Sequence, residues 1–72
     1  MPNIFMQKAE YERLCAAFLK AFASVPDRLR SEIIVVVDGE PYTWETIFIE
    51  VNGKTEKSKK MLEEIKRLEI IL

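Results

Sequence analysis

Few side chains in this chain could carry out covalent chemistry, and their setting argues against it. The sequence holds one cysteine, Cys15, and no histidine. A thiol becomes a nucleophile when a base or a nearby cation draws off its proton. Histidine, the usual base, is missing, and Cys15 falls on the apolar face of a helical segment, where a free thiol behaves as a small hydrophobe. The same composition removes the common donors of a zinc site. Gly53-Lys54-Thr55 copies the end of a phosphate-binding loop. That loop needs another glycine where Phe48 stands, so that the backbone can wrap the phosphates. Asp38-Gly39-Glu40 sets two carboxylates around a glycine, which is turn chemistry before it is metal chemistry. Glu63 and Glu64 sit among lysines, whereas a general acid needs a dry pocket. These readings predict no catalytic residue, no metal and no cofactor, and a chain that is not an enzyme.

Binding chemistry is better represented. Lys54, Lys57, Lys59 and Lys60 form the one dense charge cluster, and they are the candidate contacts to nucleic-acid phosphates. The alternative is a solvated face neutralised by Glu56, Glu63 and Glu64. Formal net charge is −1. Residues 1–53 carry −3 and residues 54–72 carry +2, so the basic end is the C-terminal segment. A chain dominated by nucleic-acid contact is usually strongly basic. Nucleic acid is therefore a possible partner but not the favoured one. Tyr42 and Trp44 could serve as two aromatic anchors, although a hairpin end and the first core residue of a helix explain them as well.

Size sharpens the question. Seventy-two residues make a single small domain, which buries a modest share of its surface. Such domains gain stability from disulfides, metals or association; one cysteine cannot form an intramolecular disulfide, and the lack of histidine argues against a zinc site. The hydrophobic fraction of 49% argues for a packed core and against disorder. No apolar run reaches membrane-spanning length, and MPNIFMQK lacks the features of a signal peptide. A single free cysteine fits a cytoplasmic setting. The expected partner is a second copy of the chain, with a different protein partner also possible.

The elements that position these residues follow from periodicity. Tyr11, Leu14, Cys15, Phe18, Phe22 and Val25 mark one face of a long N-terminal helix. Asn3 is a possible cap, and Pro26 ends the helix. The segment from Pro26 to Leu29 reads as one turn with Leu29 inward. Ile33 to Val37 are all β-branched, which predicts a strand covered on both faces. Asp38-Gly39 is a tight-turn signal, and Glu40 to Tyr42 reads as a short return strand with Pro41 on its unpaired side. Residues 43–51 are ambiguous. Ile47, Ile49 and Val51 alternate as a strand would, yet Trp44, Ile47, Phe48 and Val51 mark a helix face. Thr43 is a good N-cap, and Gly53 stands where a helix stop belongs. Helix is preferred. Residues 56–69 read as a helix capped by Thr55, with Glu56–Lys60 and Glu63–Arg67 as ion pairs.

In the C-terminal part, Thr43, Ile47, Val51, Leu62, Ile65, Leu68, Ile70 and Ile71 fall at a spacing that resembles helix-turn-helix and winged-helix DNA-binding domains. The resemblance covers residues 43–72. It departs at Phe48, where a small residue is usual, at Ser58, where an apolar one is, and at Glu69, where glycine is. Thr55 stands one residue later than the usual cap, and the match stops at Leu72, short of a wing. The resemblance implies a nucleic-acid-binding role for the lysines named above.

The predicted architecture is α+β and mainly α, with a long N-terminal helix, a short β-hairpin, then two helices joined by a tight turn. The alternative is α-β-β-α, with 43–51 as the second strand. The predicted core is Leu14, Cys15, Phe18, Phe22, Ile34, Val36, Trp44, Ile47, Phe48, Val51, Leu62, Ile65 and Leu68. The preferred function is a non-catalytic protein-interaction module that self-associates through Ile33, Val35 and Val37, because an unpaired apolar strand invites another chain. The alternative is a helix-turn-helix-like nucleic-acid-binding protein.

Overall fold

The computed structural model describes residues 8–71. In chain order it has α1 (Lys8–Ala23), a single 3-10 turn (Asp27–Leu29), β1 (Ile33–Val37), β2 (Glu40–Thr43), α2 (Trp44–Asn52) and α3 (Glu56–Arg67). The architecture is α+β, mainly α, in the predicted order. Asn3, the suggested first cap, lies outside the described residues.

Residues 44–52 are helical, which resolves the ambiguity against the strand. The local chemistry explains why. Thr43 Oγ1 accepts from the Thr46 backbone N–H at 3.1 Å, and the Thr43 N–H donates to Thr46 Oγ1 at 2.7 Å. Two amides that strand pairing would otherwise have to satisfy are thus met by a reciprocal cap. The Glu45 N–H then donates to the Arg30 carbonyl at 3.1 Å, fastening the start of α2 to the turn before β1.

β1 and β2 form a two-stranded antiparallel hairpin, closed by Asp38 and Gly39 at φ 52° and 81°. Positive φ at both central residues is what a two-residue hairpin turn with the right-handed strand twist requires. The register pairs Val37 with Glu40, Val36 with Pro41 and Val35 with Tyr42, then slips so that Ile33 faces Thr43.

One apolar cluster joins all elements. Tyr11, Leu14, Cys15 and Phe18 come from α1, Val35 and Val37 from β1, Ile47 and Val51 from α2, and Met61, Leu62 and Ile65 from α3, with Ile71 closing the end. Phe18, Ile47, Met61, Leu62 and Ile65 are completely buried. Each such side chain contributes on the order of 1.5–3 kcal/mol by leaving water. Phe22, Trp44 and Phe48 are half-buried; Phe22 stacks on Phe48 at 4.4 Å and Phe18 on Trp44 at 5.6 Å.

Several expectations need correction. Val36 and Leu68, placed in the core by sequence, are exposed, and Ile34 is only half-buried. β1 is therefore covered on one face, not two. Leu29 is exposed rather than inward, and α1 ends at Ala23, so Val25 belongs to the following turn. Glu56 pairs with Lys59 and Glu64 with Arg67, in place of the four-residue pairs expected. Gly53 is not the left-handed residue that stops α2: it has φ −84°, and Lys54 takes φ 54°.

Candidate interaction site

The strand with the strongest apolar signal is also an edge strand. Among the described residues β1 has β2 as its single strand neighbour, so one edge of it carries no strand there. Residues flanking a two-residue turn form a hydrogen-bonded pair, and such pairs alternate along an antiparallel ladder. Val37–Glu40 and Val35–Tyr42 are accordingly the bonded pairs, and Val36–Pro41 is not. Pro41 loses nothing by lacking an N–H there. The N–H and C=O of Val36 point the other way, toward the free edge.

Side-chain direction follows from the same register. Val35 and Val37 point into the core and are 3% and 6% exposed. They cannot meet another chain, which corrects two of the three interface residues expected from sequence. Ile33 is 61% exposed and Val36 is 55% exposed. Strict alternation would have put Ile33 on the inner face with Val35 and Val37. The register slip between Ile33 and Val35 inserts one residue, as a β-bulge does, and turns Ile33 outward. The outer face of the hairpin thus presents Ile33, Val36 and the exposed Pro41. No sequence signal marked the bulge, since all five β1 residues are β-branched and apolar.

Beside the free edge runs an open hollow of about 380 Å³, lined by Val36, Val37, Asp38 and the α3 residues Lys60, Glu63 and Glu64. Lys60 spans it, with Nζ 3.2 Å from Asp38 Oδ2. The end of β1 and α3 thus leave between them a hollow with both signs of charge.

The four candidate phosphate-contacting lysines do not form one surface. Lys57 and Lys59 are two residues apart on α3, about 200° around its axis. Lys57 Nζ lies 5.7 Å from the Tyr42 ring, and Lys59 Nζ lies 5.9 Å from the Tyr11 ring. The Tyr42 hydroxyl beside Lys57 pushes the pKa of that ammonium up. Lys59 is tied to Glu56 at 3.2 Å and Lys60 to Asp38. Lys54 is exposed in the turn. The outward face of α3 runs Glu56, Lys60, Glu63, Arg67, alternating in sign where a phosphate-tracking helix would be basic.

Ser58, the polar residue at an expected apolar position, is completely buried. Its Oγ donates to the Thr55 carbonyl at 2.6 Å, so the Tyr11 hydroxyl, 2.7 Å away, donates to Ser58 Oγ. Burial raises the Tyr11 pKa, keeping the phenol protonated for this bond. Sequence reasoning placed Tyr11 on an apolar face but could not pair it with a serine 47 residues away.

Cys15 is a buried free thiol, and no cluster of potential metal ligands exists among the described residues. No helix among them is long and apolar enough to cross a membrane. No family model matches the chain, and no curated protein or solved structure matches it either.

Proposed function

We propose that this chain is a non-catalytic protein-interaction module that self-associates by pairing the free edge of β1 with the same edge of a second copy. The observation that carries this reading is the outward-facing backbone of Val36 on a strand edge that carries no partner among the described residues, with the outer side chains Ile33 and Val36 apolar and exposed. An unpaired edge of this kind is a template for another strand unless charge, proline or a covering element blocks it. Pro41 lies on β2, so it blocks the opposite side of the hairpin and leaves β1 available. Two-fold pairing is the commonest way a chain satisfies such an edge. The result would be a continuous four-stranded antiparallel sheet, which also supplies the extra burial that a domain of this size needs. A cytoplasmic setting fits the single unpaired thiol.

Nucleic-acid binding is the less favoured reading. The order α2, turn, α3 agrees with it, but the lysines that would carry it are dispersed around α3 and two are held by carboxylates.

Light scattering across a hundredfold range of concentration tests the proposal. A dimer mass is expected, and Val36→Lys should return a folded monomer, because a charge on an exposed edge residue opposes pairing without entering the core. A wild-type monomer throughout, or a dimer indifferent to Val36→Lys, would remove the reading.

A further inference from the structure

The lysine cluster of the sequence divides in space, and one half of it regroups with residues far away in the chain. Lys57 and Lys60 turn toward the hairpin, to Tyr42 and Asp38. Lys54 and Lys59 turn toward α1 and, with Lys8, Tyr11 and Glu12, line a second hollow of about 340 Å³. Its lining counts three lysines against one glutamate. Lys8 and Lys54 make no ion pair among the described residues. Lys59 has one, to Glu56, whose side chain is largely exposed, so that pair is weak and exchangeable.

Two other hollows among the described residues are balanced differently. The one beside β1 has three carboxylates to one ammonium. In the one between α1 and the end of α3, Arg13 and Lys66 are both drawn to Glu10. The Lys8–Lys54–Lys59 hollow carries three cations in its lining, more than either of the other two.

We infer that this hollow is a binding site for a small phosphorylated anion. Each ammonium offers three donors, and three lysines lining one hollow from α1, the turn and α3 suit an anion with several oxygens and more than one negative charge. The volume exceeds that of a phosphate and reaches the lower end of small-ligand pockets. The Tyr11 ring supplies an apolar wall for whatever carries the phosphate. Its hydroxyl is already committed to Ser58, which fixes the ring in place. Glu12 limits the excess charge and can accept a hydrogen bond from a hydroxyl of the ligand. None of these residues belongs to β1, so the site stands or falls independently of self-association.

Titration with inorganic phosphate, followed by backbone amide shifts at constant ionic strength held with chloride, tests the inference. Saturable shifts are expected at Glu12, Lys54 and Lys59. Lys8→Gln and Lys54→Gln should each weaken binding by about fivefold, the upper end of what an exposed ion contact contributes. Lys20→Gln, which removes an exposed cation elsewhere on α1, should leave binding unchanged. Non-saturating drift, shifts at Lys20 and Arg28 as large as those at Lys54, or indifference to the Lys8 and Lys54 changes would overturn it. So would binding confined to duplex DNA, which would return these lysines to the nucleic-acid reading.

Discussion

Glu69 shows how a single residue can end a helix against its own preference. α3 stops in a two-bond motif: the Glu69 N–H donates to the Lys66 carbonyl and the Ile70 N–H to the Ile65 carbonyl, each at 3.0 Å. That geometry needs a left-handed residue, and Glu69 adopts φ 60°. Glycine takes this conformation without the side-chain clash. Glu69→Gly should therefore stabilise the fold by about 0.5–1 kcal/mol, the net of strain relieved and unfolded-state entropy gained, as measured by urea unfolding. The sequence points to glycine at such stops, which is why Gly53 looks like the end of α2 while Lys54 takes that conformation. Position is legible from composition only when the fold uses the residue best suited to it. The Tyr11–Ser58 bond gives a second residue-scale expectation. Burial raises the Tyr11 pKa in the folded state above its ordinary value of 10.0. The unfolded chain therefore loses that proton first as pH rises. Stability should be full below about pH 10 and fall above it toward the folded-state pKa. Tyr11→Phe should remove this alkaline loss and cost about 1 kcal/mol at neutral pH for the missing hydrogen bond. An alkaline unfolding profile unchanged by Tyr11→Phe would contradict the assignment.

At the scale of elements, what was legible depended on whether periodicity or register decided the outcome. α1 and α3 each repeat apolar residues at helical spacing and could be read directly, while for α2 the Thr43 cap and the Trp44, Ile47, Phe48, Val51 face only tipped an ambiguous segment toward helix. Thr43→Ala should destabilise the chain by about 1 kcal/mol, because the hydroxyl that accepts from the Thr46 N–H at the start of α2 is lost. β1 offered no such handle. Five β-branched residues in a row identify a strand but not its inner face, and the bulge near Ile34 then broke the alternation that would have been assumed. The consequence is measurable. Val35→Ala should cost about 2 kcal/mol, since it removes buried methyl groups. Val36→Ala should stay within about 0.5 kcal/mol as an exposed change. Equal costs for the two would mean that the register is other than described. The candidate site inherited this limit: the strand was identified, but two of its three interface residues pointed the wrong way.

For the molecule as a whole, we propose that a hairpin too narrow to use both edges of its apolar strand is completed by a second copy. Near-neutral net charge permits like chains to approach, and the mixed signs beside the β1 edge present no uniform repulsion. Light scattering reports mass but not which surface pairs. The most direct test is amide hydrogen exchange at β1 as a function of protein concentration. Val35 and Val37 amides, bonded within the hairpin, should be protected at every concentration. The Val36 amide should exchange freely in dilute solution and become protected as concentration rises, because its partner lies on the second copy. Free exchange of Val36 at all concentrations would contradict the central claim.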